Sequence, residues 1–314
     1  MKSLIVFLFS LLVTTCGTSG AKQGTVTQED LLPVLIEKTE IYKSLVASKQ
    51  DSSGFIESDH CDALLFTSLL RASTSSLAVD LYSARSSANK WFRRPMVTPD
   101  VDPCYPDHSK SSISRDMFTG VLWYAWRVKD VQMLEDLWDY GIENTWVMGD
   151  GDASRTVMTV NMQGLLARTI YRLGGTDHPI ARAYPAVYTK AQTGFQAHLT
   201  VLAILLQGEL DKEVSDSNLG ILKHHAEREP RNSLFRYGYA KYSDGDLTDA
   251  IITLIDSTLF PKETLPTSKD RKTPWLWERD SGSDWQEAPG EVDIHSGGDF
   301  LFMASLILEE FNQD

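Results

Sequence analysis

Two kinds of apolar pattern alternate along the chain. In one, hydrophobic residues recur at helical spacing against a charged face. Residues 27–49 place Leu32, Leu35, Ile36, Tyr42, Leu45 and Val46 on one stripe, and 130–140 set Val131, Leu134, Leu137 and Trp138 against Gln132, Glu135, Asp136 and Asp139. In the other, apolar residues cover nearly every face, as in CDALLFTSLL from Cys61, DMFTGVLWYAW from Asp116 and HLTVLAILL from His198. The first kind suits a helix lying on a core, and the second a helix surrounded by others.

The apolar segments begin near residues 62, 116, 159, 199, 249 and 299, with gaps of roughly 40–55 residues. Such spacing holds a helix pair and its loop. Helices are expected at 27–49, 61–70, 76–88, 114–128, 130–140, 157–173, 186–210, 217–228, 233–242, 247–260 and 299–311. Thr27 and Asp30 stand at capping-box spacing, and Pro33 falls in the first turns, where proline is tolerated. Ser114 is the expected N-cap of the helix at Asp116. Prolines break the stretch 89–112, and strand signals are nearly absent. The expected fold is all-α: a toroid of helical hairpins, inner helices buried and outer ones amphipathic, in which the first helix pairs with the last and closes the ring.

Residues 1–21 carry Lys2, an apolar run from Leu4 to Val13 and then small residues, the layout of a secretory signal and too short for a membrane span. Cleavage after Ala21, or before Cys16 with lipidation of that cysteine, are the two readings. The remainder, 22–314, reads as a single domain. Export gives Cys61 and Cys104 an oxidising compartment, where they form a disulfide or, alternatively, Cys61 stays a buried thiol.

A net charge of −13 disfavours nucleic acid and anionic membrane surfaces, leaving a lipid on Cys16 as the route to a membrane. No nucleophile elbow, P-loop or dinucleotide fingerprint is present, no zinc spacing links the histidines, and no cofactor is expected. GDGDAS resembles a calcium loop only in its first positions: Arg155 replaces the turn glycine and Asn161 the bidentate glutamate.

Carboxyls cluster ahead of the apolar helices: Glu57, Asp59, Asp62, Asp116, Asp150, Asp152 and Asp299. Each also suits the ordinary job of stabilising a helix N-terminus. The stretch 274–296 adds Trp275, Trp277, Glu278, Asp280, Asp284, Trp285, Asp293 and His295 in one long loop before Gly297 and Gly298. Aromatics interleaved with polar groups suit sugars, whose CH faces stack while their hydroxyls need partners. Trp91 lies in a loop beside Arg93 and Arg94, which suit an acidic group. Trp123, Trp126 and Trp138 sit at helical spacing and read as core.

This pattern resembles the (α/α)6-barrel glycan-active enzymes, the six-hairpin glycosidases and related polysaccharide lyases. The likeness is architectural, with FIESDHCDALLFTSLL and WVMGDGDASRTVM similar to the acid-bearing helix starts of inverting barrel glycosidases. It implies a poly- or oligosaccharide substrate, Glu57 as acid and Asp152 or Asp116 as base. Substrate contacts are expected from Trp91, Arg94, Arg115, Trp275, Trp277, Asp280, Asp284 and His295. A lyase would instead use His295 or Tyr105 as base, with Arg115 neutralising a uronate. A non-catalytic exported lipoprotein binding glycan or protein is the reading from another class.

Overall fold

The computed structural model describes residues 26–56, 63–73, 77–150, 155–183, 188–191, 194–267 and 296–312. Among them are eleven α-helices: α1 (Gln28–Ala47), α2 (Ala63–Ser73), α3 (Arg115–Val128), α4 (Val131–Glu143), α5 (Val160–Arg172), α6 (Pro179–Ala183), α7 (Gly194–Asp211), α8 (Asp216–Arg228), α9 (Ser233–Tyr242), α10 (Thr248–Ile255) and α11 (Gly298–Phe311). One hairpin, β1 (Val147–Asp150) with β2 (Arg155–Val157), is the only sheet among the described residues. The protein is therefore mostly helical, as its periodicity predicts.

Local chemistry starts these helices where the sequence places the caps. Thr27 and Asp30 form the reciprocal capping box of α1. The side chains of Asp130, Thr159, Ser215 and Asn232 each accept a hydrogen bond from the backbone N–H three residues on, opening α4, α5, α8 and α9. Ser114 behaves differently. It occupies the N-cap of α3 without a capping bond, and its hydroxyl donates to Asp116 instead.

The most buried helices pack on one another in succession, and α3 also packs directly on α7. α11 packs on α2, α2 on α3, α3 on α5, α5 on α7, α7 on α9, and α9 returns to α11. Around them, α1 lies on α10 and α11, α4 on α3 and α5, α6 on α5, and α8 on α7 and α9. The centre is filled by side chains. Trp123 of α3 donates its indole N–H to the Leu202 carbonyl of α7 at 3.1 Å and meets Phe302 of α11 edge to face, ring centroids 5.1 Å apart.

Contacts along these helices fix their sense. Gly298 lies against Phe66 and Ser305 bonds to the Ser73 carbonyl, so α11 and α2 advance together. Trp123 meets Phe302 and Arg127 meets Glu309, so α3 and α11 also run in parallel. Gly238 faces Val201 and Leu205 while Lys241 reaches Glu209, giving α9 the sense of α7. The last turns of α3, α7, α9 and α11 consequently share one end, and their first turns the other. Gly297 and Gly298 make the α11 start possible: Gly297 has φ +70°, and a Cβ on Gly298 would come within 3.0 Å of the Phe66 carbonyl oxygen.

Four expectations need correcting. The helix expected over 76–88 is, in its described part, a single 3₁₀ turn, Leu81–Ala84. Asp80 bonds to the Tyr82 N–H and Ser83 to the Asp80 carbonyl, local bonds that compete with a helix. α2 thus pairs with α3 and α11 rather than with its own hairpin partner. The loop expected at 146–155 contributes β1 and β2. Within the expected helix 186–210, α7 begins only at Gly194, and α6 is a separate short helix before it. The helix expected over 247–260 ends at Ile255, where Asp256 turns extended and accepts from the Thr258 N–H.

Candidate functional site

The end that gathers the helix starts carries the unusual polar burial. Asp116, in the first turn of α3, is 4% exposed, and Asp299, in the first turn of α11, is 2% exposed. Both helices flank α2. Asp116 Oδ1 accepts from the Ser114 hydroxyl and from the Met117 N–H, and Asp299 Oδ1 from the Phe300 N–H at 2.8 Å. Helix starts supply exposed N–H groups and a positive dipole end, which explains how two carboxylates tolerate this depth. His198, in the second turn of α7, is also buried, and burial holds its pKa well below the ordinary value, so it is neutral at pH 7.

The β-hairpin is fastened to the same end. Ser112 bridges Gly149, and the Arg115 guanidinium donates to the Val157 carbonyl through Nε at 3.3 Å and Nη2 at 3.2 Å. Arg115 is therefore occupied by the hairpin backbone, and among the described residues it forms no ion pair with Asp116 or any other acid. Asp152, between β1 and β2 in the chain, lies outside the described residues.

A cavity of about 350 Å³ opens beside the start of α2. Its walls are Ser48, Lys49, Gln50 and Asp51 from the turn after α1, Phe55, Ile56 and Ala63 on either side of 57–62, and Arg94 and Pro95. Local bonds shape it. Asp51 Oδ1 accepts from the N–H groups of Ser53 and Phe55, folding the chain back, and the Arg93 carbonyl accepts from the Leu64 N–H at 2.8 Å, pinning the 93–95 segment to α2. A second cavity, about 150 Å³ between α1 and α11, is lined by Thr39, Lys43, Ser73, Leu301, Ser305 and Glu309 among others.

Among the described residues, Arg94 is an expected substrate residue that lines this cavity. Trp91 is fully buried in the core and offers no face to a sugar. Its short loop is drawn inward because its N–H donates to Ser111 Oγ and its carbonyl accepts from the Ser112 N–H. Tyr105 stacks on His108, with ring centroids 4.9 Å apart and Arg93 above it. Glu57, Asp152, Trp275, Trp277, Asp280, Asp284, His295 and both Cys16 and Cys61 lie outside the described residues, so the Cys61–Cys104 pairing stays an expectation. Of the tryptophans read as core, Trp123 is fully buried, and Trp126 and Trp138 pack on the core partly exposed.

Lys49 was not legible as a cavity residue. It sits at the polar end of an amphipathic helix, and only the turn at 50–56 brings it to the cavity that Arg94 also lines. Compared with protein-family models, curated proteins and solved structures, the chain matches none. Among the described residues no helix is long and apolar enough to cross a membrane, and no group of three or more His, Cys, Asp or Glu side chains is placed to hold a metal ion.

Proposed function

We propose that the protein is an exported glycan-cleaving enzyme built as an α/α toroid, a glycoside hydrolase working with paired carboxylates at the end of the ring where the inner helices begin. What supports the reading is the pair of buried acids, Asp116 and Asp299, in the first turns of two parallel helices flanking α2. Hydrolysis needs one carboxyl to protonate the leaving oxygen and another to activate water or attack the sugar. In this reading Asp116 is the base, Glu57, which follows Ile56 in the chain, is the acid, and Asp152 is the alternative base. The stretch 275–296, which precedes Asp299 in the chain, is expected to bring Trp275 or Trp277 against sugar and Asp280, Asp284 or His295 into contact with it. The lyase variant is less well supported, because Arg115 is already bonded to Val157.

Reducing-end release from a panel of polysaccharides tests the proposal, with ultraviolet absorbance of the products to separate a lyase from a hydrolase. The expected result is new reducing ends without unsaturated products. A folded protein that binds a glycan and cleaves none would leave a binding protein on the same scaffold. Export and the anchor are tested by the mass of the mature N-terminus, which begins at Cys16 with lipid or at Lys22 without it.

A further inference from the structure

We propose that the chain carries an acid-released strap: the segment 188–191 closes over His225 of α8 near neutral pH, and protonation of that buried imidazole pushes it off. The device goes beyond the glycan reading and does not depend on it. α8 turns one face inward, with Asn218, Ile221, Leu222, His225 and Ala226 buried. The strap is fastened along that face at two points. The Tyr188 N–H donates to Asn218 Oδ1 at 3.4 Å, and Arg228 Nη1 donates to the Ala191 carbonyl at 3.3 Å, both longer than the usual ~2.9 Å. Helix positions three and seven apart share a face, so His225 falls between these two anchors and under the strap.

The imidazole has no exposed surface, and neither ring nitrogen has a hydrogen-bond partner. A side chain so placed is tolerated only while neutral. Its ring meets Phe235 of α9 with centroids 5.5 Å apart. The charged groups that act on it are His224 and Arg228 of α8 and Lys190 of the strap, every one a base. Acids of the neighbouring helices are engaged elsewhere. Glu227 pairs with Lys223 along α8, Asp249 with Arg236 of α9, and Asp211 and Glu209 of α7 with Arg168 and Lys241, while Glu229 accepts from the Asn232 amide. Residues 183–187 and 192–195, which flank the strap in sequence, include no acid.

A proton on His225 therefore makes a buried cation that faces Lys190 and Arg228, the residues at and beside the second anchor. Burial, with lesser help from His224, Arg228 and Lys190, lowers the pKa from 6.5 to about 4 while the strap is closed, and an imidazole released to water regains its ordinary value. The open form takes the proton first, so closure is at full strength above about pH 6.5 and weakens as pH falls towards 4. The strap yields before the helix does: Thr189 and Lys190 are already exposed, and lifting them removes a like charge, whereas α8 is also packed on α7 and α9.

Hydrogen exchange of the full chain, corrected for the pH dependence of the intrinsic rate, tests this. Between pH 7 and pH 4.5 the amides of 188–191 are expected to lose at least tenfold in protection while those of α2 and α3 keep theirs. His225→Phe and His225→Gln, one apolar and one polar but neither titrating, should hold the strap's protection constant over that range, and Lys190→Gln should move the loss to lower pH. If His225→Phe does not fold, His225→Gln decides alone. Strap protection that is unchanged at pH 4.5, that falls in step with α2 and α3, or that falls as much in His225→Gln as in the parent would overturn the inference.

Discussion

The two ends of the buried helices handle charge in opposite ways. Where the helices finish, polar groups satisfy one another: Lys241 of α9 bonds Glu209 of α7 at 2.7 Å and Glu310 of α11 at 2.9 Å, and the Tyr237 hydroxyl donates to Glu310. Burial pushes the Glu209 carboxyl up, but the hydrogen bond and charge of Lys241 outweigh it and hold the group below its ordinary value. Burial likewise pushes Lys241 down, and its two glutamates carry it above the usual lysine range. Tyr242 packs so closely on Gly208 that a Cβ there would strike its hydroxyl. Where the helices start, Asp116 relies on its own first turn and Arg94 and Lys49 face a cavity. One end ties α7, α9 and α11 together, and the other leaves Arg94 and Lys49 lining a cavity.

Breaking the end where the helices finish should give the largest effect. Lys241→Met strands two partly buried glutamates, and a cost of about 3–5 kcal/mol is expected in denaturant unfolding, with the ligand affinity of the folded fraction unchanged. Lys38, beside the start of α11, makes the converse case. It is 1% exposed, its Nζ has no hydrogen-bond partner, and Phe300 and Phe260 lie 5.8 and 5.9 Å away. Burial, helped by Lys262 and opposed by Asp256, lowers its pKa from 10.5 to about 8. Between those values the unfolded chain keeps a proton that the folded chain has lost, so this group makes stability rise with pH across that window and imposes its full penalty below pH 8. Lys38→Met should therefore stabilise the protein at pH 7 by on the order of 3 kcal/mol, a gain that shrinks as pH approaches 10.5. A destabilised variant would mean that the amine has a role the packing does not reveal.

A smaller effect concerns acid. His225 of α8 is fully buried with neither ring nitrogen bonded, and burial, with lesser help from His224, Arg228 and Lys190, lowers its pKa from 6.5 to about 4. The unfolded chain takes up the proton first, so stability falls as pH drops from 6.5 to 4. His225→Phe should flatten that part of the melting-temperature profile relative to the parent, and an unaltered slope would move the acid sensitivity to other groups.

Helix identity was readable because the all-round apolar runs at 63–70, 116–125 and 201–206 have few other solutions in a water-soluble domain. Caps such as Thr27, Asp130 and Asn232 were readable because their bonds reach only three residues. What escaped was set by distant parts of the chain. The segment at 81–84 matches helical periodicity, yet Ser83 and Asp80 bond locally and the Trp91 loop takes the space beside it. Trp91 looked available in a polar loop, and only the Ser111 and Ser112 bonds reveal that it is pulled inward. Arg93 and Arg94 are equivalent in sequence, whereas the fold spends the first on Ser112 and leaves the second facing the cavity with Lys49.

The central claim, that the end where the helices start does the chemistry, is tested most directly by comparing glycan cleavage by the parent with that of Asp116→Asn, an isosteric change that removes the charge. The account predicts at least a hundredfold loss in kcat with a melting temperature shifted by only a few degrees. Full activity in Asp116→Asn, or a parent protein that is folded and cleaves no glycan, would contradict it.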